Sequence, residues 1–323
     1  MTDLAVPPEQ SRGNPAVPSS RAVNLASPTK TVAMWEGITP RWLLQFLPYV
    51  EVKAGVYRVN RASSPARVKA GHTEGELLDS TFTDYAADPE EIRLATIQTT
   101  INIHTRVADL LSAPHDQTQE QIRLAVAAVK EQKEALAIRN LLQFAEKRAP
   151  EQIIEGGGAP TPDHLDDLLS RVWKWPAFFL AHPGAIAAFG REATARGVKL
   201  DSVEIFGVPF VAWRGVPIVP TNKIAFGPFD DHTYGYSNGF GDVVSADGKA
   251  AGGETQIVLL RVGEDVQGVV GLHQAGVGTS DVQSLNIRKM GITREGIESY
   301  LITCYFNVAV LAHDAIAVLK VTV

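Results

Sequence analysis

Hydrophobic and polar positions divide the chain into stretches of distinct texture. Thr39-Pro40-Arg41-Trp42, followed by Leu43, Leu44, Phe46 and Leu47, predicts a short helix. Thr39 stands as its cap and Pro40 at its first position, and Pro48 ends it. Val50-Glu51-Val52, the run Gly55 to Asn60, and Thr81-Phe82-Thr83-Asp84-Tyr85 then alternate as strands do. The residues between Arg61 and Gly75 are charged and turn-rich, so the strands read as one long hairpin around a polar tip. A two-stranded ribbon cannot build a core alone. It needs a surface to lie on, and a neighbouring subunit is one candidate.

Helical periods follow. Glu91 to Leu111 is predicted helical, and Pro114 breaks it. Thr118 to Gln121 reads as a capping box opening a helix to about Arg148. Ile122, Val126, Val129 and Leu136 form its stripe, with Arg123, Lys130, Lys133 and Glu134 largely elsewhere. At about 1.5 Å per residue it spans roughly 45 Å, a spine for other elements. Gly156-Gly157-Gly158 is a joint and the best internal boundary. Thr161-Pro162-Asp163 starts another helix, and Pro183 to Arg196 a further one, with Gly197 as its stop. Strands are expected at 203–206, 209–213, 217–219, 256–262, 267–272 and 285–290. Thr293 is expected to cap a last helix carrying Ile297, Leu301, Cys304, Val308 and Leu311 on one stripe. At the other end, Met1 to Lys30 holds five prolines among polar residues and has no apolar period. It is either a tail or an arm that orders only against a neighbour.

Composition narrows the function classes. The 323 residues are 45% hydrophobic and 20% charged, with net charge −6 from 30 basic and 36 acidic side chains. No basic run accompanies that mild acidity, so a dedicated nucleic-acid binder is not expected. No apolar run reaches membrane-spanning length, so any membrane association would be peripheral. Cys304 is the sole cysteine; it cannot form an intrachain disulfide, and a reducing, cytoplasmic setting is expected.

The polar clusters have structural readings. Gly156-Gly157-Gly158 lacks the Lys-Ser/Thr of a phosphate loop. Asp163, Asp166 and Asp167 suit the first turn of a helix, and His115, His182 and His313 suit helix ends. Trp173 and Trp175, with Phe178-Phe179 after them, read as core. No catalytic, cofactor or metal residues are expected. His182, Asp166 and Cys304 would be the best groups of an enzyme reading. The Gly-rich stretch Phe226 to Gly253 reads as a surface or rim loop.

Several separated stretches resemble one family. These are Ile38-Thr39-Pro40-Arg41-Trp42-Leu43-Leu44, Ala54 to Arg61, Ile103-His104-Thr105-Arg106-Val107, Ser112 to Gln117, Gly158 to Asp163, Phe178 through His182 to Gly197, and Gln267 to Leu272. They are similar, in order, to family 2 encapsulin shell proteins of the subgroup without a cyclic-nucleotide-binding insertion. The order of parts is also that of tailed-phage major capsid proteins. The resemblance implies an α+β, Hong Kong 97-type capsid fold: arm 1–37, short helix and extended hairpin 38–90, peripheral domain with spine helix 91–155, axial domain 156–292, and a C-terminal helix 293–323 returning to the peripheral domain. It implies a homo-oligomeric icosahedral shell, about sixty copies in its smallest closed form. A cysteine desulfurase would be enclosed, with a role in sulfur storage. The alternative is a phage or prophage capsid protein. Axial tip loops would line a pore, and the candidates are 196–206, with Lys199, Asp201 and Glu204, and 226–253, with Asp230, Asp231, His232, Tyr234, Asn238 and Asp242.

Overall fold

The computed structural model describes residues 37–62, 66–68, 70–71, 74–75, 77, 80–104, 117–226, 253–274 and 284–323. The expected arm (up to residue 36), His115, and the pore candidates Asp230, Asp231, His232, Tyr234, Asn238 and Asp242 lie outside these residues.

The spine is helix α2 (Gln117–Arg148), 32 residues long. It is buried on several sides because it lies between two β-sheets. Against one side packs a five-stranded sheet whose centre is β13 (Ile297–Val310). Strand β4 (Ala95–His104) pairs along one edge of β13. Along the other edge lie β12 (Leu285–Ile292) and then β11 (Val269–Gln274), with β1 (Tyr49–Val52) parallel to β11. Ile302, Cys304, Phe306, Val308 and Val310 alternate toward the spine and are buried with Ala137, Ile138, Leu141 and Ala145.

The second sheet has seven strands. Their order is β5 (Ile153–Glu155), β14 (Ile316–Thr322), β10 (Glu254–Leu260), β6 (Phe178–Ala181), β9 (Val216–Pro220), β8 (Val208–Trp213) and β7 (Asp201–Ile205). Alternation gives it two apolar faces. Phe178, Leu180, Val258, Leu260, Ile316 and Val318 join the spine's core. Phe179, Ala181, Ile218, Ile257, Leu259, Ala317 and Leu319 face helices α3 (Pro162–Arg171) and α4 (Pro183–Ala195). One spine thus seals one face of each sheet.

The local signals for α3 and α4 are realised in detail. The Thr161 hydroxyl accepts from the backbone N–H of His164, and His164 Nδ1 accepts from the N–H of Thr161. His182 Nδ1 accepts from the N–H of Gly184, and Gly197 takes φ +71° just past α4.

Four expectations are corrected. Residues 293–323 are not a helix but β13, a 3-10 turn (His313–Ala315) and β14. Ile302, Cys304, Phe306, Val308 and Val310 form a period-two face, and β-branched and aromatic residues fit a pleated sheet better than a helix. The stretch from Glu91 is β3 (Glu90–Arg93) and β4, for the same reason: Ile97, Ile101 and Ile103 are interleaved with Thr96, Thr99 and Thr100. Residues 81–85 form no strand; the ribbon is β2 (Val56–Val59) paired with β3, plus a single bridge between Ala62 and Tyr85. Finally, α1 (Trp42–Phe46) begins after Arg41, which is left-handed at φ +53°, so Thr39 is not its cap.

Candidate assembly surfaces and axial loops

The chain enters the described fold over a buried charge cluster. Glu131 and Glu134, adjacent turns of α2, supply the acceptors α1 lacks. The backbone N–H and hydroxyl of Thr39 donate to Glu131 at 2.9 and 2.7 Å, and the N–H of Leu43 donates to Glu134 at 3.0 Å. Lys223 and Arg41 pair with Glu131 at 2.7 and 3.0 Å. Burial raises a carboxyl pKa, but hydrogen bonds from Lys223 and Thr39 overcome it at Glu131 and hold it below the usual range. Glu134 has only the Leu43 N–H, and burial pushes it up to about 7. Lys133 lies between the rings of Tyr49 and Phe306, 4.6 and 4.4 Å from their centres, and burial lowers it to about 8. The helical period places Lys133 and Glu134 away from the packed stripe, yet Tyr49 of β1 and Phe306 of β13 cover Lys133 and the start of α1 covers Glu134. A period count along one helix carries no signal of two partners.

The ribbon is fixed at its root and bare at its tip. Arg61 donates to the carbonyls of Val310 and Leu311 and pairs with Glu90 at 2.8 Å. Further out, Val68, Leu77 and Phe82 are each close to 90% exposed. Their burial requires something outside the subunit.

The pore candidates separate into two places. Lys199 and Asp201 line a cleft of about 440 Å³ with Asp163, Asp166, Arg196, Val198, Trp213 and Arg214. Four of its six charges are paired: Arg196 with Asp163 at 2.7 Å and Arg214 with Asp166 at 3.0 Å, with the Trp213 indole N–H donating to Asp166 at 2.7 Å. The Arg214 hydrogen bond holds Asp166 below its usual pKa. Glu204 is exposed further along β7. The cleft lies beyond the C-terminal end of α4. The stretch 227–252 leaves from the other end, where Phe226 stacks on His182 at 4.7 Å and bridges Thr255. Thirteen residues of helix separate the two places by roughly 20 Å. Lys199 and Asp201 are therefore brought together, and the roots of the long stretch are not brought to them.

Trp173 and Trp175, expected in the core, are 70% and 72% exposed. Phe178 and Phe179 are core as expected, and Cys304 is buried, with burial raising its thiol pKa. Among the described residues no group of three or more His, Cys, Asp and Glu side chains is placed to hold a metal, and no helix is long and apolar enough to cross a membrane.

A spine helix between two sheets and a projecting two-stranded ribbon define a class: the Hong Kong 97-type capsid subunit. The fold aligns with the capsid protein of a gene transfer agent particle at 13% identity, TM-score 0.58, over 93% of this chain and 96% of that one. It aligns more fully with the SrpI encapsulin of Synechococcus elongatus, seen in a cryo-EM structure of the holo complex: TM-score 0.74, 42% identity, 95% and 96% of the two chains. A type 2A encapsulin shell protein of Mycobacterium leprae is 46% identical over 305 residues, 92% of this chain and 91% of that protein. SrpI from Synechococcus elongatus is 44% identical over 302 residues, with 92% and 91% covered. Residues 56–323 match the family described as type 2A encapsulin shell protein, SrpI-like, and the chain belongs to that family.

Proposed function

We propose that copies of this chain close into an icosahedral compartment in the cytoplasm, about sixty in its smallest form, around a cysteine desulfurase whose product serves sulfur storage. The family match over residues 56–323 carries the shell part of this reading. A ribbon with a fixed root and a bare apolar tip supports it, because an isolated subunit has no reason to keep Leu77 and Phe82 in water. The subunit itself performs no chemistry; the enzyme is the cargo. Division into arm 1–37, hairpin 38–90, peripheral 91–155 and axial 156–292 parts belongs to the same proposal, with 293–323 contributing β13 to one sheet and β14 to the other.

The pore is assigned to the 226–253 stretch, with Asp230, Asp231, His232, Tyr234, Asn238 and Asp242. Lys199 and Asp201 sit instead in a cleft of mixed charge, most of it paired, which suits a contact between subunits better than a selective opening. Replacing Asp230 and Asp231 by Asn is expected to alter small-ion entry into assembled shells while leaving particle size unchanged; unchanged entry overturns the assignment.

Size-exclusion chromatography with negative-stain microscopy tests the shell. Uniform closed particles are expected, and a folded monomer or small oligomer overturns the reading. Mass spectrometry of proteins copurifying from the native host tests the cargo. A desulfurase is expected; portal or terminase proteins in its place would favour a prophage capsid.

A further inference from the structure

Among the described residues, strand β4 is paired on one edge only. It meets β13 from Ala95 opposite Phe306 to His104 opposite Ile297, and no strand pairs with its other edge. A groove of about 460 Å³ lies there, lined by Ala95 to Gln98 of β4 and by Gln132, Leu136 and Arg139 of the spine. Ile97 packs with the core beneath the spine. Gln98 points to the opposite face, where its side-chain amide donates to Thr303. Side chains of both faces line the groove, so it follows the backbone edge of β4 itself. Its floor is apolar, with Ile97 and Leu136 half-buried. The N–H and C=O groups along such an edge can pair with an extended segment laid beside them.

The path of the chain onto the spine identifies that segment. Successive residues of a helix are turned by about 100°. Glu131 holds Thr39, and Glu134, which holds Leu43, is turned from it by roughly −60°. Ala135, Arg139, Gln132 and Leu136 are turned the other way, by roughly +40 to +140°. From Thr39 to Leu43 the chain therefore runs away from the groove. Continued backwards beyond Thr39, the same path leads into it. The residues that precede Thr39 suit a strand. Thr29 to Glu36 holds neither proline nor glycine, so each residue keeps its ladder donor, whereas prolines at 7, 8, 15, 18 and 28 interrupt the chain before it. Thr31, Val32 and Trp35 fit a pleated surface. At about 3.3 Å per residue, a few of these residues cover the roughly 10 Å of spine between Gln132 and Arg139.

We propose that Thr31 to Glu36 add a strand to the free edge of β4 in the same subunit, with the side chains of one face seated on Ile97 and Leu136. The contact fixes the root of the arm, so that the residues before it leave every subunit from one point. It lies within a single chain and goes beyond the shell reading without resting on it.

Ala33→Pro combined with Met34→Pro removes ladder donors of both parities. Hydrogen exchange of peptides covering β4 should be at least about tenfold faster in this variant than in the full-length parent, with exchange in β13 unchanged. A parent whose β4 edge is already unprotected, or a variant in which β4 stays as protected as before, overturns the proposal; the second result means that a different segment or partner covers the edge. Cysteine scanning gives a second measurement. Val32→Cys, Ala33→Cys, Met34→Cys and Trp35→Cys are each combined with Leu136→Cys and oxidised. A strand should cross-link at alternate positions, either Val32 and Met34 or Ala33 and Trp35, giving a monomer that migrates faster until it is reduced. Leu136→Cys alone should not shift, because the native Cys304 is buried. Cross-linked dimers place the segment on another copy and overturn the proposal, as does the absence of a cross-link at all four positions. Both measurements read the same on a free subunit and on a particle, so failure to assemble would overturn the shell reading and not this contact.

Discussion

At the scale of single residues, two charges beneath the spine govern how stability varies with pH. Glu134 titrates near 7 in the fold and near 4.5 when unfolded, so the folded chain binds more protons between those values. Its contribution is complete below about 4.5 and is lost as pH rises through 7. Glu134→Gln keeps an acceptor for Leu43 and removes the ionisation. Melting temperatures measured from pH 5 to 8 should therefore decline less for the variant, which should gain about 1–3 kcal/mol at pH 8. An unchanged slope would mean that Glu134 is not a titrating group of the fold. Lys133 acts in the opposite sense. Burial lowers its pKa to about 8, so the unfolded chain binds more protons between 8 and 10.5 and stability rises with pH there. Lys133→Met is expected to flatten that rise, as denaturant melts at pH 8 and pH 10 would show. Neither effect was legible in the sequence, where both residues resemble the solvated face of a helix. Lys133 is covered by Tyr49 of β1 and Phe306 of β13, and Glu134 by Leu43 of α1, residues far from them along the chain.

At the scale of elements, the caps of α3 and α4 were readable, those expected at Thr39 and Thr293 did not form, and long apolar stretches were ambiguous. Thr161-Pro162 and His182-Pro183 announce helices through contacts three residues or fewer apart, and both caps form. Residues Ile297, Leu301, Cys304, Val308 and Leu311 satisfy a helical count, yet four of the five lie on a strand, and β4 was misread in the same way. Strand pairing is settled by partners distant in sequence, and β13 finds three of them. The junction of α4 with Phe226 offers a separate test. A Cβ on Gly184 would stand 2.6 Å from the Phe226 ring. Gly184→Ala should cost about 1–3 kcal/mol by overpacking, and adding Phe226→Leu should recover part of it. A melting temperature unmoved by Gly184→Ala would show that the ring shifts without cost.

At the scale of the whole molecule, the order of parts was legible and their contacts were not. The ribbon, the spine and the strands after Gly158 follow one another as the sequence suggests, because alternating and helical textures are local properties. The corrected placement of Trp173 and Trp175 is the opposite case. Aromatic composition alone does not tell a core residue from an exposed one, and these two rings are exposed while Phe178 and Phe179 just after them are buried. Deleting Met1 to Lys30 is expected to leave the subunit fold unchanged and to lower the denaturant midpoint of shell disassembly. Truncated shells of equal resistance would make the arm a tail. One topological fact bears on how such a particle is made in the cell. Strand β14 lies between β5 and β10, inside the seven-stranded sheet rather than at its rim. During synthesis that sheet keeps an open slot until residue 322 has left the ribosome, and its two flanking edges can be joined only then. A nascent chain consequently cannot complete the seven-stranded sheet before that strand has emerged. Any contact between copies that uses the whole sheet therefore forms after residues 316–322 have been made.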